Sequence, residues 1–162
     1  MPVDRTRRFV LPGIQDLSKD QDEALALPLE GQHLIIGGPG TGKSVVALLR
    51  ARRLAAEEKR YRILVYNHLL NSSNRHLFGS TQPLISKTWE KWFREMYNYI
   101  FNKKVPTIHQ ENLGSYKPID WDAIGKESDR REFEKLPLNK NHFLLVDEGQ
   151  DMPPKFYETL AG

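Results

Sequence analysis

Eight consecutive residues constrain this chain more than any others: Gly37-Gly38-Pro39-Gly40-Thr41-Gly42-Lys43-Ser44. They satisfy G-x-x-x-x-G-K-[ST] in full. They also sit where that pattern has meaning, after a short apolar string, His33 to Ile36, and before an amphipathic stretch from about Lys43 to Glu58. Glycines let backbone N–H groups turn inward as a nest around an anion. A helix that starts at the lysine aims its positive end at the same anion. Lys43 adds a mobile full charge for terminal phosphates, and the Ser44 hydroxyl can hold magnesium. The loop therefore predicts a strand, a phosphate-cradling turn and a helix. Gly38, Pro39, Gly40, Thr41, Gly42, Lys43, Ser44 and Val45 are the expected nucleotide contacts.

A second feature lies far along the chain. Phe143-Leu144-Leu145-Val146 has the look of a buried strand, and it runs into Asp147-Glu148-Gly149-Gln150-Asp151. A carboxylate at a strand end can hold a metal ion, and its neighbour can polarise an attacking water. Asp147 is thus expected on magnesium, together with Ser44, and Glu148 as the catalytic base. An acidic surface turn is the plainer alternative, but a complete phosphate loop in the same chain argues against it.

Between these landmarks, helical and strand patterns alternate. A helix is expected from Ser18 to about Leu27, where Ser18 and Gln21 have capping-box spacing and Pro28 stops it. The helix after the phosphate loop places Ala47, Leu48, Ala51, Leu54 and Ala55 on one face and Arg50, Arg53 and Glu57 on the other. Ile63 to Tyr66 reads as a strand, and Leu84 to Ser86 as another. Trp89, Trp92, Phe93, Met96, Tyr97 and Ile100 form a helical stripe over 88–101. Residues 102–140 are polar and loop-rich, and Pro153-Pro154 breaks the chain before a short amphipathic end. Short apolar strands alternating with helices imply an α/β fold, a parallel sheet covered on both faces. Such sheets bind ligands at the carboxyl ends of their strands.

Asp147-Glu148-Gly149-Gln150-Asp151 resembles motif II, D-E-x-Q-D, of the UvrD/Rep-like superfamily 1 DNA helicases. With the phosphate loop, this makes the chain similar to the first RecA-like domain, 1A, of that family, from about Leu17 to Tyr157. The resemblance implies ATP and Mg2+ as cofactors, and a catalytic role for Gln150 between the γ-phosphate and the DNA side. Leu17-Ser18-Lys19-Asp20-Gln21 looks like the family's Q motif, which implies that Gln21 reads adenine. Closing the capping box with Ser18 is the alternative for Gln21. Ile63-Leu64-Val65-Tyr66-Asn67 resembles motif Ia, which implies that Tyr66 and Asn67 lie beside single-stranded DNA. A ring stacked on a base contributes roughly 1–3 kcal/mol. Ser86-Lys87-Thr88-Trp89-Glu90 resembles motif Ib or Ic, with Glu90 where histidine is common. Thr88 is the DNA contact implied there, or else a helix N-cap.

Domain organisation follows from the same comparison. Residues 1–16 are expected as an irregular basic arm and 17–162 as the RecA-like domain, with the 102–140 insertion as a rudimentary 1B. Motif III and a second RecA-like domain would come after motif II. That second domain supplies arginines worth about 10³–10⁵ in rate in related phosphoryl-transfer enzymes. By itself this polypeptide is therefore expected to bind Mg-ATP, to hydrolyse it slowly and not to unwind DNA. Its expected partners are single-stranded DNA, with RNA still open, and a second domain in cis or trans.

Composition sets the outer bounds. The chain has 162 residues and no cysteine, which excludes disulfides, thiolate zinc sites and cysteine nucleophiles and suits a reducing cytoplasm. No apolar run is long enough to span a membrane. A net charge of +3 is compatible with a polyanion without requiring one. Two other classes stay open: a P-loop ATPase switch or motor unconnected with nucleic acid, and a non-catalytic nucleotide- or partner-binding module.

Overall fold

A computed structural model describes residues 16–66, 85–108, 114–127 and 142–161. Helix α1, Lys19–Ala26, starts at Ser18, whose hydroxyl accepts from the Gln21 amide while the Gln21 side chain accepts from the Ser18 amide. This reciprocal capping box satisfies two N–H groups that a helix start leaves unpaired. Helix α2, Lys43–Ala56, follows the glycine-rich loop and leads into strand β1, Arg60–Val65. Strand β2, Ser86–Thr88, runs directly into helix α3, Trp89–Phe101, which ends at Asn102 in the left-handed conformation, φ 51°. Helix α4, Trp121–Glu127, lies in the polar stretch 102–140. Strand β3, His142–Val146, is followed by a 3-10 turn, Gly149–Asp151, and by helix α5, Pro154–Ala161.

Among the described residues the strands form one parallel sheet in the order β2-β1-β3. Ile63 pairs with Ser86 on one side and with Leu145 on the other. Side chains alternate across a strand with period two, and both faces are apolar here. Tyr61, Ile63 and Val65 of β1 and Phe143 and Leu145 of β3 pack with Leu48, Ala51 and Leu54 of α2. Leu64, Leu144 and Val146 face the other way, onto Trp89, Trp92, Phe93 and Tyr97 of α3 and Phe156 of α5. The expected parallel sheet with helices on both faces is present.

Two expectations need correction. His33–Ile36 is not a buried strand: the stretch is unpaired among the described residues, and Leu34 and Ile36 are each 84% exposed. Gly31, at φ 92°, bends the chain just before the stretch, and His33 Nε2 lies 2.9 Å from the Glu30 carbonyl across that bend. Arg50 does not lie on a solvated face but is 6% exposed. Its guanidinium donates to the carbonyls of Leu27 (2.8 Å) and Pro28 (2.7 Å), closing the end of α1. Burial, with Arg53 nearby, holds its pKa below the usual arginine value. The loop-rich stretch 102–140 also contributes to the core. Val105, Ile119 and Ile124 are buried, and Trp121 stacks on Trp89 with ring centres 6.3 Å apart. Residues 109–113 and 128–140 of it lie outside the described residues.

Candidate functional site

Because the strands are parallel, their carboxyl ends share one edge. Tyr66 follows β1, Trp89 follows β2 and Asp147 follows β3. The Asp147 amide donates to the Leu64 carbonyl at 2.9 Å, which holds the strand end against β1.

A hydrogen bond ties the phosphate loop to this edge. Ser44, in the first turn of α2, donates its hydroxyl to Asp147 Oδ1 at 3.0 Å, across 103 residues of sequence. Asp147 is 4% exposed. Gly40 and Gly42 take left-handed conformations, φ 76° and 82°, and thereby turn the loop into the helix. A Cβ on Gly42 would also collide with the Gln21 amide. Within the loop, Thr41 Oγ1 donates to the Gly38 carbonyl at 2.9 Å. The Lys43 ammonium donates to the carbonyls of Gly37 and Gly38, each at 2.9 Å, so it arches back over the loop. Two of its three donors are used, and one remains for an anion. Pro39 is exposed in the turn, and Val45 is partly buried against the α2 cluster.

Gln21 is tied at both ends of its amide. Oε1 accepts from the Ser18 amide, and Nε2 donates to the Thr41 carbonyl at 2.9 Å. The capping box thus exists, and the same side chain also touches the phosphate loop. One lone pair and one N–H of the amide remain.

Glu148 has φ 54°, in the left-handed region that non-glycine residues seldom occupy. Its carboxylate accepts from Gln150 Nε2, so these two side chains of the acidic turn meet. Gly149 has a reason to be glycine: a Cβ there would come 2.7 Å from the Tyr157 hydroxyl. That hydroxyl donates to the Gly149 carbonyl at 2.7 Å. Its burial pushes the Tyr157 phenol up, which keeps it a donor. Tyr157 was singled out by no motif. Its only sequence signal is an aromatic residue one turn into the helix after the acidic strand end.

Of the residues implied for nucleic acid, Tyr66 is exposed at the end of β1, Thr88 is buried at the N-cap of α3, and Asn67 lies outside the described residues. Trp89 and Trp92 belong to the core.

The donor set suits a hard divalent cation of the magnesium type. A hydroxyl and a carboxylate stand within hydrogen-bond distance of each other, and magnesium is held by one or two protein oxygens with phosphates and waters completing its shell. Among the described residues there is no group of three or more His, Cys, Asp or Glu that could hold a metal by itself. None of the described helices is long and apolar enough to cross a membrane.

No curated protein and no solved structure matches the chain. The family model described as AAA domain matches residues 21–161, which takes in the capping glutamine, the phosphate loop and the acidic strand end. A phosphate loop bonded to a strand-end aspartate, in a chain matched over nearly its whole length, places it: the protein belongs to the AAA domain family, a P-loop, helicase-like group of nucleotide-binding, ATPase-like proteins.

Proposed function

We propose that this chain is the ATP-binding domain 1A of a UvrD/Rep-like helicase or translocase, which couples ATP hydrolysis to movement on single-stranded DNA. The observation that carries the ATPase part is the Ser44–Asp147 hydrogen bond. It brings the phosphate loop and the acidic turn to one edge of the sheet. Gln150 favours the helicase branch, since its amide meets the Glu148 carboxylate and can report on what that carboxylate faces.

In this reading the loop amides and the free donor of Lys43 bind the β- and γ-phosphates. Gln21 uses its remaining lone pair and N–H on the adenine edge, which donates and accepts in the matching order. Ser44 and Asp147 would hold magnesium, which when bound supplies charge neutralisation on the phosphate oxygens. Glu148 orients a water and takes its proton, and Gln150 fixes the carboxylate that does so. A second RecA-like domain completes the site.

Two measurements test this. Lys43→Ala should abolish binding of a fluorescent ATP analogue in the presence of magnesium. With a second RecA-like domain joined to the chain, single-stranded DNA should stimulate ATP hydrolysis, and Glu148→Gln should lower the rate by about 10²–10⁴. Absence of stimulation would remove the helicase reading. An unchanged rate in Glu148→Gln would remove the base assignment.

A further inference from the structure

Helix α1 carries the glutamine that meets the phosphate loop, yet little within the helix fixes it in place. None of its side chains is fully buried, and its last turn holds no basic residue. A helix end leaves carbonyls unpaired and carries a partial negative charge. Here α2 supplies the cation. Arg50 Nη1 donates to the Leu27 carbonyl at 2.8 Å and, at longer range, to those of Leu25 (3.4 Å) and Ala24 (3.5 Å). Its Nη2 donates to the Pro28 carbonyl at 2.7 Å. These acceptors all belong to the end of α1 and the two residues after it, and Arg50 is buried against them. A planar fork with fixed donor directions selects one placement of that end. Leu29, next along the chain, packs on the same α2 cluster.

The start of α1 is tied to the same piece of chain. Gln21 Nε2 donates to the Thr41 carbonyl at 2.9 Å, while Oε1 accepts from the Ser18 amide at 3.0 Å. These two bonds also fix which way the amide faces. Reversing it would set Oε1 against the Thr41 carbonyl and Nε2 against the Ser18 N–H, so donor and acceptor keep their order. Adenine presents an N6 donor beside its N7 acceptor, whereas guanine presents two acceptors, O6 and N7. The remaining lone pair and N–H of Gln21 match the first pattern, and a guanine O6 would face the lone pair of Oε1. Arg50 stands seven residues after Lys43 on α2, on the order of 10 Å along the axis at about 1.5 Å per residue. One helix therefore carries phosphate ligands at its start and the clamp on α1 two turns later.

We infer that Arg50 is a positioning residue for nucleobase selection: by clamping the end of α1 it holds the Gln21 amide in the one orientation that accepts adenine and rejects guanine. This rests on the adenine reading of Gln21 proposed above and deepens it, because it assigns a specificity role to a buried arginine that touches neither base nor phosphate. Without the clamp, α1 keeps its capping box but loses the anchor at its far end. Gln21 can then leave the Thr41 carbonyl and turn its amide, and the fixed order of donor and acceptor is lost.

The test is competition of ATP, GTP and inorganic tripolyphosphate against a fluorescent ATP analogue on the 162-residue chain with magnesium. Tripolyphosphate reads the phosphate loop without a base. Gln21→Ala should cut the preference for ATP over GTP by about 5- to 150-fold, the factor that two lost hydrogen bonds imply. Arg50→Ala should cut it by about 5-fold or more and leave tripolyphosphate affinity unchanged. Added to Gln21→Ala, it should change the preference no further, because both act through one amide. Arg50→Lys keeps the charge without the fork and should fall between wild type and Arg50→Ala. It takes the place of Arg50→Ala if that variant no longer binds tripolyphosphate. A wild-type preference in the variant that still binds tripolyphosphate overturns the positioning role and leaves the adenine reading standing. Equal loss for all three ligands in both Arg50 variants also overturns it, since the residue would then serve the fold alone. If the wild-type chain does not prefer ATP, or Gln21→Ala keeps the preference, the adenine reading fails and takes the positioning role with it.

Discussion

The tightest fit at the acidic turn is between Gly149 and Tyr157. The hydroxyl and the Gly149 carbonyl are 2.7 Å apart, and a side chain at 149 would have to enter the same space. Gly149→Ala should therefore destabilise the fold by about 1–3 kcal/mol, as overpacking does. Tyr157→Phe in the same chain should recover part of that loss, because the clashing atom is the hydroxyl. Urea unfolding of the two single variants and the double variant gives the coupling directly. Additive losses would show that the two residues do not share the space. Glu148 stands beside this lock with φ 54°, a strained backbone that the surrounding contacts must hold in place. Under the proposed function the lock bears on catalysis, because loosening it would free Glu148 to relax away from Gln150.

Among the elements, α1 has the weakest claim to exist by itself. It has eight residues and no fully buried side chain, and helices that short are marginal in water. Its two ends are fixed by other means, the capping box at Ser18 and the Arg50 guanidinium at the Leu27 and Pro28 carbonyls. Arg50→Ala should cost about 1.5–3 kcal/mol, the range for hydrogen bonds to a charged donor. It should also loosen Gln21 from Thr41. Circular dichroism in urea and protection of the α1 amides would check both effects, and full protection in the variant would refute the capping role. The stretch 33–36 is the opposite case, apolar in sequence yet unpaired among the described residues. Its amides should exchange with solvent faster than those of Ile63, Leu64 and Val65. Equal protection, read by mass spectrometry, would mean that the stretch is paired in solution.

At the scale of the molecule, one aromatic cluster joins α3, α4 and α5. Phe156 is fully buried and meets Trp89, Phe93 and Trp92 at ring-centre distances of 5.4, 6.0 and 6.2 Å. Phe156→Ala should cost about 3–5 kcal/mol. It should also lower the protection of α3 and α4 along with α5, since the three share the cluster. Loss confined to α5 would show that α3 and α4 fold independently of it. One core therefore supports both α3 and α5, and α5 carries Tyr157 against the acidic turn.

The sequence by itself determined the local things. Period-two and period-3.6 patterns marked β1, β3, α2 and α3 to within a few residues, because each pattern records which side of an element must leave water. Spacing marked the phosphate loop and the Ser18–Gln21 capping box, because their partners lie within a few residues along the chain. Tertiary structure alone decided what depends on distant partners. It set Ser44 against Asp147, turned Arg50 inward to α1, left Leu34 and Ile36 exposed, and brought Tyr116 to Glu90. The physical reason is the same in each case. A side chain's preference for water or for burial can be read from its chemistry, but the atom that satisfies it is chosen only when the whole chain has closed around it.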